Sequence, residues 1–339
     1  MSDPDIHLLL TVPFPAAHIE RLQAISPRLK ITSRPTSDAE TLADDLLQET
    51  EILYTSSALP DPDLVPNLRW IQIHYTGVDH ILGNPLLGSD LMITTMSGVA
   101  APQLAELSLM FMLALSHRLL EILHSTPEER WAPGRLKRYQ PQELRGSTVG
   151  IVGYGSVGRE IARLCKASGA KVLATKRDLK LLTDDGYTLE GLGDPGAEIP
   201  ERLYPPQALR SMVSLCDFVI VTLPLTGKTK GIYNEAVFEA MKPSAYLIDI
   251  SRGGIVDHGA LVEALNLERL AGAALDVYPI EPLPESSPLW EMENVILTPH
   301  IGGASPDYLE QAVLLFSMNI QRYLSEMPLL NIYDPSREY

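Results

Sequence analysis

The hydrophobic positions of this chain fall into short β-branched runs separated by stretches in which apolar residues recur every three or four positions. That alternation predicts strands and helices in turn, and hence parallel sheets covered by helices. Over residues 1 to about 100 the strand-like runs are 7–12, 30–33, 52–54, 70–74 and 91–95, with helical periodicity over 17–25 and 39–49, an α/β unit of its own. Pro102 opens a long apolar helix through about Leu123, and the segment around Arg130-Trp131-Ala132-Pro133-Gly134 reads as a loop or arm. A second alternation then places strands at 149–152, 171–174, 218–223, 246–250, 272–277 and 295–298, six strands that suit a doubly wound parallel sheet. Residues 306–325 read as a further amphipathic helix. Between 181 and 206 lies a stretch rich in glycine, proline and aspartate, a loop long enough to be functional or mobile.

The run Thr148-Val149-Gly150-Ile151-Val152 feeds Gly153-Tyr154-Gly155-Ser156-Val157-Gly158 and then an amphipathic helix over 157–168. In that context the glycines read as a dinucleotide cradle. Gly153 permits the tight turn, Gly155 lets the backbone approach a pyrophosphate, and Gly158 packs the helix close to the strand. The helix then presents free N–H groups and its positive end to the phosphates.

With 339 residues the chain exceeds one ordinary core, so two domains are expected. A net charge of −16 argues against nucleic acid as a partner. The acidic start Met1-Ser2-Asp3-Pro4-Asp5 lacks the pattern of a secretory signal, and the apolar stretch 107–115 is too short to span a bilayer. The expectation is a cytoplasmic protein with no membrane partner. Cys165 and Cys216 have neither metal nor redox spacing and read as core thiols, and no metal site is expected.

In an open parallel sheet, ligands collect beyond the carboxyl ends of the strands. Arg252 follows 246–251 there, Glu281 follows 273–277, and His300 follows 295–299. Singly each has a bland reading, as surface cation, loop acid or turn residue. Together they supply what reduction of a 2-keto acid needs. Arg252 offers a planar, permanent cation to a carboxylate. His300 can deliver a proton to the carbonyl oxygen or take it back. Glu281 beside it would orient the ring and balance the imidazolium.

The runs Leu144 to Gly153, Cys216-Asp217-Phe218-Val219 to Leu223-Pro224-Leu225-Thr226, Ser251-Arg252-Gly253-Gly254-Ile255-Val256-Asp257, Gly272 to Val277 with Glu281-Pro282-Leu283-Pro284, and Thr298-Pro299-His300 closely resemble the D-isomer-specific 2-hydroxyacid dehydrogenases over nearly the whole chain. The resemblance implies two flavodoxin/Rossmann-like α/β domains, with the coenzyme domain, a doubly wound parallel sheet, inserted into the substrate domain. Residues 1–100 and 301–339 would form the substrate domain, and 101–300 the NAD(P)-binding domain with its dimerisation arm. It implies Arg252, Glu281 and His300 as catalytic residues, and Thr76 and Gly77 of Tyr75-Thr76-Gly77-Val78-Asp79 as substrate-binding together with Arg252. The coenzyme-binding set it implies is Gly153, Gly155, Ser156, Val157, Gly158, Thr175, Lys176, Arg177, Leu223, Pro224, Thr229, Ile250, Asp276, His300 and Gly302, with Asp276 on the nicotinamide carboxamide.

Coenzyme choice is read at the tip of the second strand, where NAD-dependent proteins carry an acid for the ribose. Lys176 occupies that place here, between Thr175 and Arg177. Two cations and a hydroxyl suit a 2′-phosphate, so NADP is the preferred coenzyme with NAD possible, unless Asp178 turns to the ribose. The long segment after Arg177 begins close to that tip and is expected to be a flap near the adenosine end. A homodimer is expected through the helix from Pro102 and the arm around Trp131. Leu225, Trp290 and the Tyr75 loop are pocket candidates, more often simple packing.

The chain departs from the family at Asp249, where asparagine is common, at Thr95, near a usual asparagine, and in the long segment after Arg177. Formate dehydrogenases carry glutamine in place of Glu281, and a phosphoglycerate dehydrogenase with a regulatory extension would continue beyond the last helix. The expected substrates are 2-keto or D-2-hydroxy acids of hydroxypyruvate, glyoxylate or 3-phosphoglycerate type. The alternative from another class is a coenzyme-sensing, corepressor-like binding protein on the same fold.

Overall fold

A computed structural model describes residues 4–338. The chain divides into two compact units, one running to Ala100 and resuming at Ser305, the other spanning Ala101–Ala304. Each is an α/β structure with one fully parallel sheet.

In the first unit β1 (Ile6–Leu10), α1 (Ala16–Gln23), β2 (Leu29–Ser33), α2 (Asp44–Glu49), β3 (Ile52–Thr55), β4 (Trp70–Ile73) and β5 (Met92–Thr94) build a sheet of order β2-β1-β3-β4-β5. β3 and β4 are buried along their whole length, as a strand covered on both faces must be. The helix Tyr308–Leu324 packs on this sheet, where Phe316 meets Tyr54 and Trp70 edge-on or tilted at ring separations of 4.8 and 5.3 Å. The helix expected over 39–49 is interrupted. A 3₁₀ turn at Ala39–Thr41, capped by the Asp38 carboxylate, ends where Leu42 and Ala43 become extended, and α2 starts afresh.

The second unit begins with α3 (Ala101–Ser116), α4 (Leu119–His124), α5 (Pro127–Arg130) and α6 (Arg135–Arg138). The single helix expected from Pro102 to about Leu123 is broken because Arg118 takes a left-handed conformation, φ 52°. Then come β6 (Thr148–Val152), α7 (Ser156–Ala167), β7 (Lys171–Thr175), β8 (Arg202–Tyr204), α8 (Leu209–Val213), β9 (Phe218–Val221), α9 (Glu235–Phe238), β10 (Tyr246–Asp249), α10 (His258–Asn266), β11 (Gly272–Leu275) and β12 (Val295–Leu297). The sheet order is β12-β11-β10-β9-β6-β7-β8, a doubly wound sheet whose order reverses between β6 and β9. It has seven strands, not the six expected from periodicity. The extra one, β8, comes from the end of the segment expected to be all loop, and pairs along β7. Three residues are too few for a hydrophobic period to register.

Cores lie on both faces of this sheet, and Cys165 and Cys216 are buried free thiols, each pushed up to about 12 by burial. Among the described residues no helix is long and apolar enough to cross a membrane, and no His, Cys, Asp and Glu group could hold a metal ion.

Candidate active site

At the end of β6, Gly153 turns the chain with a left-handed φ of 110°. α7 returns so close that a Cβ on Gly158 would lie 2.2 Å from the Gly153 carbonyl oxygen, so only glycine fits. On the other side of the turn a Cβ on Gly155 would meet no atom within 4 Å, and as the N-cap of α7 Gly155 offers no side chain to cap it. Open space in front of a helix N-terminus fits a pyrophosphate. The Gly153 amide donates to Thr175 Oγ1 at 3.0 Å, and Thr222 Oγ1 donates to the Gly153 carbonyl at 2.7 Å. Thr175 is therefore buried and braces the turn, and Thr222 is a brace that the sequence reading missed.

Beyond Thr175 the amide of Lys176 donates to the Tyr204 carbonyl of β8 at 2.9 Å. Its ammonium is held below the usual lysine range, first by burial and then by the charge of Arg159. Arg177 is exposed. The Asp178 carboxylate is engaged in its own turn, accepting from the Lys180 amide at 2.8 Å. After β9, Leu223 and Pro224 enter a loop in which Thr229 Oγ1 donates to the Pro224 carbonyl at 2.6 Å and accepts from the Thr226 amide at 2.8 Å. Ile250 is buried directly after β10. Leu225 packs on the core, and Trp290 donates its indole N–H to the Pro284 carbonyl at 3.0 Å.

β10, β11 and β12 lie side by side, so Arg252, Glu281 and His300 emerge from neighbouring strands at one edge. A Cβ on Gly253 would sit 1.8 Å from the Tyr278 carbonyl oxygen, and this contact presses the Arg252 turn onto the turn leading to Glu281. His300 Nδ1 lies 2.7 Å from Glu281 Oε2, and Glu281 Oε1 accepts from the Tyr278 amide at 3.0 Å. With Nδ1–H given to the carboxylate, Nε2 is the ring nitrogen left for proton exchange.

His300 itself has φ 53°, a conformation unusual for a non-glycine residue. Asp276 holds it there. Its Oδ1 accepts from Thr298 Oγ1 at 2.6 Å and from the Ile301 amide at 2.9 Å, and its Oδ2 accepts from the Gly302 amide at 2.8 Å. Tyr278 completes the frame, its hydroxyl 3.0 Å from the Leu275 carbonyl and 2.8 Å from that of Thr298. Tyr278 and Gly253 carried no sequence signal beyond their places beside Asp276 and Arg252.

Asp249, at the end of β10, is fully buried. One oxygen accepts from the Ser251 amide at 3.0 Å and from the Ser251 hydroxyl, while the other has no partner. Burial, with the charge of Asp276 adding to it, outweighs these bonds and pushes its carboxyl up to about 7.

In the first unit Thr76 and Gly77 follow β4, and Thr76 Oγ1 donates to the Met96 carbonyl at 3.3 Å. His74, just before them, has Nδ1 2.6 Å from the Tyr54 hydroxyl and is pushed down to about 4 by burial.

A histidine paired to a carboxylate, an arginine turn from the neighbouring strands and a glycine turn on the same sheet edge are a set that suits a nicotinamide-dependent hydroxy-acid dehydrogenase. The chain belongs to the D-isomer specific 2-hydroxyacid dehydrogenase family, whose NAD binding domain matches residues 109–302. It is 33% identical over 271 residues to a glyoxylate reductase of Thermofilum pendens, covering 78% of this chain and 75% of that one. A D-isomer specific 2-hydroxyacid dehydrogenase from Xanthobacter autotrophicus Py2, solved with NADPH and MES, superimposes with a TM-score of 0.81 at 27% identity over 99% of this chain and 100% of that one. An NADPH-dependent glyoxylate/hydroxypyruvate reductase from Sinorhizobium meliloti, solved with NADP and sulfate, gives a TM-score of 0.78 at 25% identity over 99% and 100% of the two chains. The protein is thus an NAD(P)-dependent oxidoreductase that transfers a hydride between NAD(P)H and a 2-keto or D-2-hydroxy acid. The corepressor-like alternative has no support in these likenesses.

Proposed function

We propose that the protein reduces a small 2-keto acid of glyoxylate or hydroxypyruvate type with His300 as acid/base, Glu281 as its orienting partner and Arg252 as the carboxylate anchor. The observation that carries this reading is the 2.7 Å contact between His300 Nδ1 and Glu281 within a left-handed turn braced by Asp276. A nicotinamide coenzyme, when bound at the glycine turn, would supply or accept the hydride. Arg252 fixes the keto acid by its carboxylate, so that the carbonyl oxygen faces His300. His300 Nε2 then protonates that oxygen as negative charge develops there, and Glu281 keeps the ring from rotating. Asp276 positions the His300 turn, in addition to the carboxamide contact that the family resemblance implies. Thr76 and Gly77 are proposed to offer backbone N–H groups to a carboxylate.

NADP is proposed as the preferred coenzyme. Lys176 and Arg177 stand where an acid would repel a 2′-phosphate, and Asp178 is engaged with Lys180. The relatives solved with NADPH or NADP support this reading. A homodimer through the arm is also proposed, since Trp131 and Leu136 are 75% and 81% exposed there. A cytoplasmic setting suits the two free thiols.

The direct test follows absorbance at 340 nm with a panel of 2-keto acids and NADH or NADPH. Turnover of glyoxylate or hydroxypyruvate above that of bulky 2-keto acids is expected. Preference for a branched or aromatic keto acid would overturn the substrate assignment, leaving the family unaffected.

A further inference from the structure

The segment between β7 and β8 has no helix or strand of its own, yet it is tied to the start of α7 by buried polar contacts. Tyr154, the residue between Gly153 and Gly155, donates its hydroxyl to Asp194 Oδ2 at 2.5 Å. Arg159, only 2% exposed, donates to the carbonyl of Asp194 and, at 2.6 Å, to that of Leu182, and it pairs with Asp184 at 3.2 Å. Glu160 Oε2 accepts from the Gly193 amide at 2.7 Å. Asp194 also accepts from the amides of Glu198 and Ile199 at 2.9 and 3.0 Å, so one carboxylate joins the segment's own turn to the glycine turn. The Arg159 guanidinium lies 5.0 Å from the centre of the Tyr154 ring. Whatever it does near the adenosine end, the segment is held against the glycine turn and the start of α7.

The physical consequence concerns the glycines. A turn built from Gly153, Gly155 and Gly158 has large conformational freedom to lose when it closes on an anion. Tyr154 is the one residue inside Gly153 to Gly155 with a side chain by which that freedom can be removed beforehand. Its phenol is kept above the ordinary tyrosine range by burial and by Asp194, so it remains a donor. For Asp194, burial is outweighed by the bonds from Tyr154, Ile199 and Glu198 and by the charge of Arg159, and its carboxyl stays below the usual range. Arg159 in turn could not stay buried without the carbonyls and the carboxylate that the segment brings.

We propose that the segment 178–201 is a built-in clamp on the coenzyme's pyrophosphate turn, and that Asp194, acting through Tyr154, is a positioning residue for the pyrophosphate. This rests on the proposed coenzyme binding. The clamp acts on a part common to NADPH and NADH, whereas Lys176 and Arg177 act on the ribose that distinguishes them.

The test uses the full chain with Tyr154→Phe, which keeps the ring, and Asp194→Asn, which keeps an acceptor oxygen. Dissociation constants for NADPH and NADH are measured by fluorescence titration, with kcat at saturating coenzyme and amide hydrogen exchange of the coenzyme-free protein. For Tyr154→Phe both constants rise by about tenfold, the worth of one hydrogen bond, with their ratio unchanged. The kcat stays within about twofold, and exchange accelerates over 153–160 but not in β9 or β10. Asp194→Asn gives a smaller rise. The clamp is overturned by unchanged constants in Tyr154→Phe, by a shifted NADPH to NADH ratio, or by a lower melting temperature with unaltered affinity. Wild-type protein that binds neither coenzyme would sink the coenzyme reading and the clamp with it, whereas failure in the variants alone sinks only the clamp.

Discussion

His300 holds a left-handed backbone that costs on the order of 1–3 kcal/mol, and the Asp276 bonds to its turn offset that cost. Such strain has a use only if the ring must stand at one place. Replacing His300 with alanine should therefore lower kcat by about two to four powers of ten while coenzyme still binds, and Arg252→Ala should chiefly raise KM for the keto acid. Steady-state kinetics separate the two, and near wild-type turnover for His300→Ala would remove the acid/base assignment.

Asp249 makes a different prediction at the same scale. Its ordinary value is 3.8 and its folded value about 7, so the folded state holds the proton more tightly. Its contribution to stability is fully present below about pH 4 and is lost as pH rises through about 7. Asp249→Asn should accordingly be more stable than wild type at pH 8, by up to about 4 kcal/mol, with the gap closing toward pH 4. Thermal melts across that range check it; a gap that does not vary with pH would show that this carboxyl does not titrate.

Among the elements, β7 carries the proposed coenzyme choice, through Lys176 and Arg177 just beyond its carboxyl end. Lys176→Ala with Arg177→Ala should reduce the NADPH to NADH ratio of kcat/KM at least about tenfold, because a phosphate loses both its cations. A wild-type ratio clearly favouring NADH would reverse that reading. Legibility differed from element to element for a physical reason. A strand buried on both faces, such as β9, is an unbroken apolar run and was visible. The break in the helix after α3 was not, since Arg118 in a left-handed conformation has no signature that a glycine would have given. Nor was β8, whose place on the edge is fixed by pairing with β7 from a segment that reads as loop.

For the molecule as a whole, the proposed homodimer rests on the arm. Trp131 and Leu136 are exposed there, with Leu123 exposed on the neighbouring α4, apolar side chains of the kind a partner surface covers. Sedimentation should find a dimer at micromolar concentration, and the double change Trp131→Ala, Leu136→Glu should shift it toward monomer. A wild-type protein that is monomeric there would count against the arm as an interface.

The sequence alone determined the alternation of elements, the glycine turn and the chemistry available at the strand ends, because these depend on local spacing and residue type. It could name Arg252, Glu281 and His300 without showing how the strands carrying them are arranged. Tertiary structure decided that. The adjacency of β10, β11 and β12, the approach of Gly253 to the Tyr278 carbonyl and the bonding of His300 to Glu281 join residues far apart in the chain. The same is true of Asp194 and Tyr154, whose contact spans forty positions. Local pattern carries no information about such pairings, which exist only once the sheet has set the distances.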